Sequence, residues 1–499
     1  MNGVLESKWG RRLTLVLLGV TAGLGQAPTD LWFVTILALA AILALFRTSS
    51  TIQAAFGTGW WSGLGYFAFS LRWIVEPFLV DAATYGWIAP FALVLMAGGA
   101  ALFWGAAGYV AYRFCRPLDV GFVATFSLVE IARSLILTGF PWALVGHIWI
   151  ETPLALTAAL WGPHGLTLIA LLLALSILRL VSGAWLWAIA PAGAAIAFLV
   201  LSPPTLQTPA DAPLIRIVQP NIPQQEKWDP RKKPENFARL LQLSSLPSGD
   251  PDLVVWPETA LAEILERAGP SIDTISDLVG DVPLITGVQR RARDDIYHNS
   301  LIMIETGGEV TATYDKQHLV PFGEYFPGGE LAARMGLRGF ASSQGFGFTP
   351  GETDTKIDIP NIGLARPLIC YEGIFSEELT TGERPDFLLL ITNDAWFGKG
   401  AGPQQHLAQA RLRSIEQGLP MVRAANTGIS AMIDPYGRLI STLALDEQGV
   451  LDVQLPQPAP ATLYARHGDI LAMSAALMLL LTSILRMRRN PIDRTQTDL

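Results

Sequence analysis

The sequence predicts a multi-span α-helical membrane bundle of eight transmembrane helices joined to an α/β layered sandwich. Three observations carry this. Of 499 residues 51% are hydrophobic and 16% charged, yet the apolar residues concentrate in 1–203 and again in 467–486. Lys and Arg gather in alternate inter-span segments. Between 204 and 466 the composition is that of a soluble domain, with β-like and helical runs in alternation. The expected division is 1–203, a membrane bundle of seven transmembrane helices; 204–466, an extracytoplasmic soluble domain; and 467–499, an eighth transmembrane helix with a basic tail.

A helix needs about 20 apolar residues to cross the bilayer core. The candidates are 11–26, 31–47, 52–75, 87–112, 119–146, 154–179, 184–202 and 467–486. Lys8, Arg11 and Arg12 before a short apolar stretch also fit a signal peptide, but the helices that follow keep the charge rhythm of a span. With the N-terminus inside, the inside segments hold Lys8, Arg11, Arg12, Arg47, Arg113, Arg116, Arg179, Arg486, Arg488, Arg489 and Arg494. The short outside loops near 27–30, 76–86 and 147–153 hold neither Lys nor Arg. This follows the positive-inside rule and puts 204–466 outside, which in a bacterium is the periplasmic side. Cys115 then lies inside and Cys370 outside, so they are not expected to pair. Trp32, Trp87, Trp149 and Trp185 near span ends read as an interfacial belt. Arg72, Glu76, Glu130, Arg133 and His164 are ionisable groups in or beside spans. Glu130 and Arg133 share a helix face, where they can pair or meet a lipid headgroup.

In the soluble part, strands are expected at 214–222, 252–260, 283–289, 362–372 and 386–397, with two more in "PMVRAANTGISAMIDPYG". A hairpin is expected from 299–305 and 310–316 through Thr306-Gly307-Gly308-Glu309. Helices are expected at 232–246, 261–267, 271–280 and 404–418. Strands and helices so interleaved make a layered α/β sandwich.

The net charge of −8 argues against nucleic acid. Two Cys cannot build a disulfide framework, and six scattered His without HExxH or CxxC give no metal site. No cofactor is expected. Three polar residues stand after apolar runs: Glu258 after "LVVWP", Lys316 after "VTATYD" and Cys370 after "PLI". Each alone also reads as an ordinary strand-end residue, and a buried Cys as a small hydrophobe. Together they are a carboxylate base, a cation and a thiol nucleophile, the groups that acyl transfer through a thioester requires.

The motifs "VVWPETAL", "YDKQHLVPFGEYFP", "LICYEGIF" and "ITNDAWFG" resemble the nitrilase (carbon–nitrogen hydrolase) superfamily, which uses a Glu-Lys-Cys triad on an α-β-β-α sandwich. With its membrane spans, the whole chain is similar to the apolipoprotein N-acyltransferase family. The resemblance implies that Glu258 is the general base, Lys316 the catalytic lysine and Cys370 the nucleophile. Glu324 matches an acid beside the triad and Glu372 the acid after the nucleophile, which shapes the site rather than acting as base. Trp228, Tyr371 and Trp396 match aromatic positions around the pocket, and Asn393 stands in or just behind it. The implied reaction moves an acyl chain from a phospholipid, typically phosphatidylethanolamine, through a thioester on Cys370. The acceptor is the α-amino group of a diacylglyceryl-cysteine at an apolipoprotein N-terminus. The implied location is the bacterial inner membrane, with both termini cytoplasmic and the catalytic domain periplasmic. The Gly- and Phe-rich stretch 326–351, with Phe340, Phe346 and Phe348, reads either as an apolar lid that dips into the headgroup region or as a packed loop. A membrane-tethered amidase or nitrilase acting on a small C–N substrate remains the alternative. A third reading, a transporter or receptor with a sensor domain, finds few polar groups in the spans to support it.

Overall fold

The computed structural model describes residues 7–205, 208–209, 211–247, 249–293, 296–327, 347–352, 356–379 and 382–489. Phe340, Phe346 and the basic tail beyond 489 lie outside them. The chain divides into two compact units. One comprises Met1–Pro203, Gly400–Ala408 and Thr462–Leu499; the other comprises Pro204–Lys399 and Gln409–Ala461.

The first unit is helical: α1 Lys8–Gly23, α2 Trp32–Arg47, α3 Ile52–Ser70, α4 Ala89–Phe114, α5 Leu118–Leu135, α6 Ala158–Val181 and α7 Ile189–Val200. The stretches Ala82–Phe114, Pro153–Val181 and Ile470–Arg488 are long and apolar enough to cross a membrane, and Trp32–Arg47 and Trp185–Val200 are shorter apolar helices. Small residues let the helices touch. A Cβ on Gly59 of α3 would lie 2.0 Å from the Trp104 carbonyl oxygen of α4, and one on Gly65 would lie 2.0 Å from that of Val16 in α1. Such close backbone approach drives packing where the hydrophobic effect between helices is weak.

The fifth expected span, 119–146, is too long: α5 stops at Leu135. Leu137 (φ 66°) and Gly139 (φ 74°) turn the chain back, and Arg133 binds the carbonyls of Phe140 and Trp142. Trp149, read as interfacial, is fully buried. Its indole donates to the Leu166 carbonyl at 3.1 Å and its ring lies 5.5 Å from Trp32. Glu130 and Arg133 pair at 2.7 Å, both buried, and Trp104 Nε1 donates to Glu130 at 3.1 Å. In α6, Gly162 (φ 65°) and Pro163 kink the helix around the Tyr464 ring. Just past the kink, His164 bonds Ser134 at 3.0 Å and Asp469 at 2.8 Å.

Among the described residues, the second unit carries two six-stranded sheets, ordered β12-β1-β2-β3-β4-β5 and β11-β10-β9-β8-β7-β6. The first holds β1 Leu214–Gln219, β2 Leu253–Val255, β3 Leu284–Arg293, β4 Ile296–Ile304, β5 Val310–Asp315 and β12 Gly449–Gln454. The second holds β6 Ile357–Ile359, β7 Gly363–Ile369, β8 Phe387–Thr392, β9 Met421–Ala425, β10 Ser430–Ile433 and β11 Leu439–Leu443. β1, β2 and β3 run parallel, as do β7, β8 and β9. Strands covered on both faces read as unbroken apolar runs, which is why "DLVV" and "FLLLI" stand out. Helices α8 Lys233–Ser244 and α9 Gly269–Val279 pack Leu240, Leu243, Ile272 and Ile275 onto the first sheet. Gln219 at the end of β1 links the sheets: its Oε1 accepts from Ser430 N of β10 at 2.9 Å.

The expected 299–316 hairpin is β4–β5, antiparallel, turning through Gly307 (φ 79°) and Gly308 (φ 78°). The helix expected at 261–267 is only a 3-10 turn at Leu265–Arg267. The strand expected over 252–260 ends at Val255, because Pro257 cannot donate to a ladder. Phe348, in the stretch read either as a lid or as a packed loop, packs buried with Tyr297 and Leu319, as the packed-loop reading expects.

Candidate active site

The strand ends deliver the three groups to one place. Lys316 is the first residue after β5 and Cys370 the first after β7. Glu258 lies three residues past β2. Cys370 adopts φ 53° and Thr259, next to Glu258, φ 46°. Both are left-handed conformations that cost a non-glycine residue about 1–3 kcal/mol and persist where the surroundings impose them. At Cys370 the turn swings the thiol out of the strand direction, into the 3-10 segment Cys370–Ile374. Gly287 of β3 makes room for the Glu258 turn: a Cβ there would lie 2.3 Å from Thr259 N and 2.7 Å from Glu258 Cα.

The carboxylates and ammonium form one buried network. Lys316 Nζ is 2.9 Å from Glu324 Oε1 and 3.9 Å from Glu258 Oε1. Asn299 Nδ2 bridges the two acids, donating to Glu258 Oε1 at 2.8 Å and Glu324 Oε1 at 2.9 Å. The main-chain N–H of Asn393 donates to Glu258 Oε2 at 2.8 Å, and that of Val320 to Glu324 Oε2 at 2.8 Å. Glu258, Lys316, Glu324 and Cys370 are each no more than 6% exposed.

Electrostatics assign resting charges. Burial pulls the Lys316 ammonium down, but the charges of Glu324 and Glu258 outweigh it and raise its pKa, so Lys316 stays charged. Burial and the Glu258 charge push the Cys370 thiol up, against the opposing pull of Lys316 and a hydrogen bond with Thr392. At rest Cys370 is therefore a neutral thiol, and a thiol in that state needs a base to act as a nucleophile. Such a set can deprotonate a thiol and stabilise an oxyanion.

The remaining expected residues fall into distinct places. Glu372 is fully committed. Oε1 accepts from Tyr314 Oη (2.8 Å), Gln317 N (2.7 Å) and His318 N (3.2 Å), and Oε2 accepts from Ile369 N at 2.7 Å. Burial raises its pKa despite Lys316 and these donors. Tyr371 is buried 5.0 Å from the Phe375 ring and 5.5 Å from the His318 ring. The Asn393 side chain donates to Gln224 at 2.7 Å and accepts from Asn426 at 2.9 Å. Trp396 is half-buried in the turn that follows. Half-buried Trp228 lies 5.8 Å from the Lys233 ammonium. Sequence reasoning missed Asn299 and Lys227. Asn299 carried a faint signal: with His298 and Ser300 it makes a polar run in a strand that continues as the apolar Leu301–Ile304. Lys227 carried none.

Residues 214–461 match the carbon–nitrogen hydrolase family, and residues 18–176 match the apolipoprotein N-acyltransferase N-terminal domain. An apolipoprotein N-acyltransferase of Rhodopseudomonas palustris is 36% identical, covering 98% of this chain and 97% of its own. One of Bradyrhizobium diazoefficiens is likewise 36% identical, with the same coverage. Among solved structures, Saccharomyces cerevisiae Nit3 of the nitrilase superfamily aligns at 18% identity with a TM-score of 0.39, over 51% of this chain and 93% of Nit3. Identity sustained across both the helical unit and the cysteine-bearing sandwich settles the kinship: this chain belongs to the apolipoprotein N-acyltransferase family.

Proposed function

We propose that this protein N-acylates lipoproteins, taking an acyl chain from a phospholipid and holding it as a thioester on Cys370. The observation that carries the reading is the enclosed set of Cys370, Glu258 and Lys316 at three strand ends. Kinship over nearly the whole chain favours this over a small-amide hydrolase.

In the first half-reaction Glu258 takes the Cys370 proton as sulfur attacks the acyl ester carbonyl. The oxyanion that develops is stabilised by the Lys316 ammonium and a main-chain N–H after the nucleophile. Each fixed donor of this kind contributes roughly 3–4 kcal/mol. Collapse breaks the ester C–O bond, and Glu258 returns its proton to the departing lysophospholipid. In the second half the α-amino group of the acceptor's diacylglyceryl-cysteine attacks the thioester. Glu258 accepts the amine proton, the C–S bond breaks, and the proton returns to Cys370. Glu324 keeps Lys316 charged and in place. Glu372, Tyr371, Asn393, Trp228 and Trp396 shape the pocket.

Phosphatidylethanolamine is the proposed donor. The proposed setting is the bacterial inner membrane, with eight spans, both termini cytoplasmic and residues 204–466 periplasmic. The charge rhythm of the loops and the apolar stretches support it. The test is a search for the thioester. The protein in detergent is given phosphatidylethanolamine with a labelled sn-1 chain and weighed intact. A hydroxylamine-labile acyl adduct that is absent from Cys370→Ala is the expected result. A folded protein that never acquires the adduct, yet hydrolyses small amides, sinks the reading.

A further inference from the structure

A second lysine is buried against the turn that carries Glu258. Lys227 closes the short helix Gln224–Lys227 and is 4% exposed. Its Nζ donates to the main-chain carbonyl of Glu258 at 2.9 Å. It also lines a small cavity with Pro220, Ile222, Asn236, Glu258 and Asn426. Asn236 Oδ1 there is a buried acceptor without a hydrogen-bond partner among the described residues. The ionisable groups facing Lys227 are Glu258 and Cys370; Lys316 and Glu324 lie one layer further, reached through Glu258 and Asn299.

The charges make its presence consequential. Glu258 and Glu324 set two negative charges against the one positive charge of Lys316; Asp394, which also faces Cys370, is paired with Arg423 at 2.8 Å, and Glu372, whose charge reaches Lys316, is held by main-chain donors. Moving the Cys370 proton to Glu258 relocates a negative charge without removing it. In a low-dielectric site an uncompensated charge is costly, so thiolate formation needs a second cation nearby.

We propose that Lys227 is a cationic positioning residue of the acyl-transfer site, fixing the Glu258 turn through its main-chain carbonyl and supplying the second positive charge that lets Cys370 ionise. Burial lowers the Lys227 pKa to about 8 although Glu258 and Cys370 pull it up, so the charge is present at neutral pH and fades above it. The proposal rests on Cys370 being the nucleophile of the reaction above, and its test avoids lipid so that the two can fail separately.

The test is the pH profile of Cys370 alkylation by iodoacetamide, followed by intact mass on the full-length protein with Cys115→Ala. Lys227→Met should move the profile upward by about one pH unit, or tenfold slower alkylation at fixed pH. Lys227→Arg should restore the native position and lack the inflection near pH 8 where Lys227 itself loses its charge. A purely structural lysine would lower thermal stability and leave the profile in place. If Lys227→Met fails to fold, Lys227→Arg decides alone: an inflection near pH 8 that persists in it overturns the proposal, as does a native profile in Lys227→Met. A Lys227-dependent profile in a protein that never takes up acyl label retires the lipid reading and keeps this one.

Discussion

Glu372 Oε1 accepts the main-chain N–H of Gln317 at 2.7 Å, which ties the turn that carries Cys370 to the loop that carries Lys316. The same carboxylate takes Ile369 N, the last N–H before Cys370. An acid two positions after the proposed nucleophile invites a role as base, yet the donors around Glu372 are main-chain N–H groups and the Tyr314 hydroxyl.

Removing that carboxylate should therefore cost stability and activity together. Glu372→Ala leaves the Ile369, Gln317 and His318 N–H groups and the Tyr314 hydroxyl without their acceptor, at about 1–3 kcal/mol for each buried group left unsatisfied. Glu372→Gln keeps the shape but presents an amide NH2 to donors. Both variants should unfold at lower temperature than the native protein in a thermal melt. An unchanged melt with lost activity would assign Glu372 to the chemistry instead.

Cys370 ionisation should respond in opposite senses to its two charged neighbours. Glu258 raises the thiol pKa and Lys316 lowers it. Glu258→Gln should thus shift the iodoacetamide profile of Cys370 to lower pH, and Lys316→Met should shift it to higher pH. Acyl transfer should collapse in both. Shifts of the same sign in the two variants would contradict the charge arrangement.

Gly287→Ala tests the room behind Glu258. The new methyl meets main-chain atoms of Thr259 and Glu258, which cannot rotate away as a side chain can. Overpacking of this kind costs about 1–3 kcal/mol. We expect the protein to fold and acyl loading to fall by more than tenfold, since Glu258, the proposed base, is displaced. Loading rates within twofold of native would show that the turn tolerates the shift.

In the helical unit, Arg133→Met should strand Glu130 as a buried acid and lose about 3–5 kcal/mol. The double variant Glu130→Met with Arg133→Met should recover part of that loss. Yield of folded protein by size exclusion in detergent reads both. A double variant no better than the single one would show that Arg133 stabilises the helical unit chiefly through its carbonyl contacts and not through Glu130.

The sequence by itself determined the apolar segments, most strands, the β4–β5 hairpin and the three strand-end residues. All of these are written in local composition, period and turn chemistry, and Gly307 and Gly308 are an example. It misjudged where α5 ends, because the stop is made by Arg133 reaching carbonyls further along a chain that has already turned. It misread Trp149 and could not choose between lid and packed loop for Phe348, because exposure is a property of neighbours that come from other elements. Tertiary structure alone decided that Asn299 bridges two acids, that Glu372 binds main chain, and that Lys227 reaches the Glu258 carbonyl across 31 positions. Those contacts are set by how two sheets and their connecting turns close on one another. No periodicity in the chain encodes a distance between residues so far apart along it.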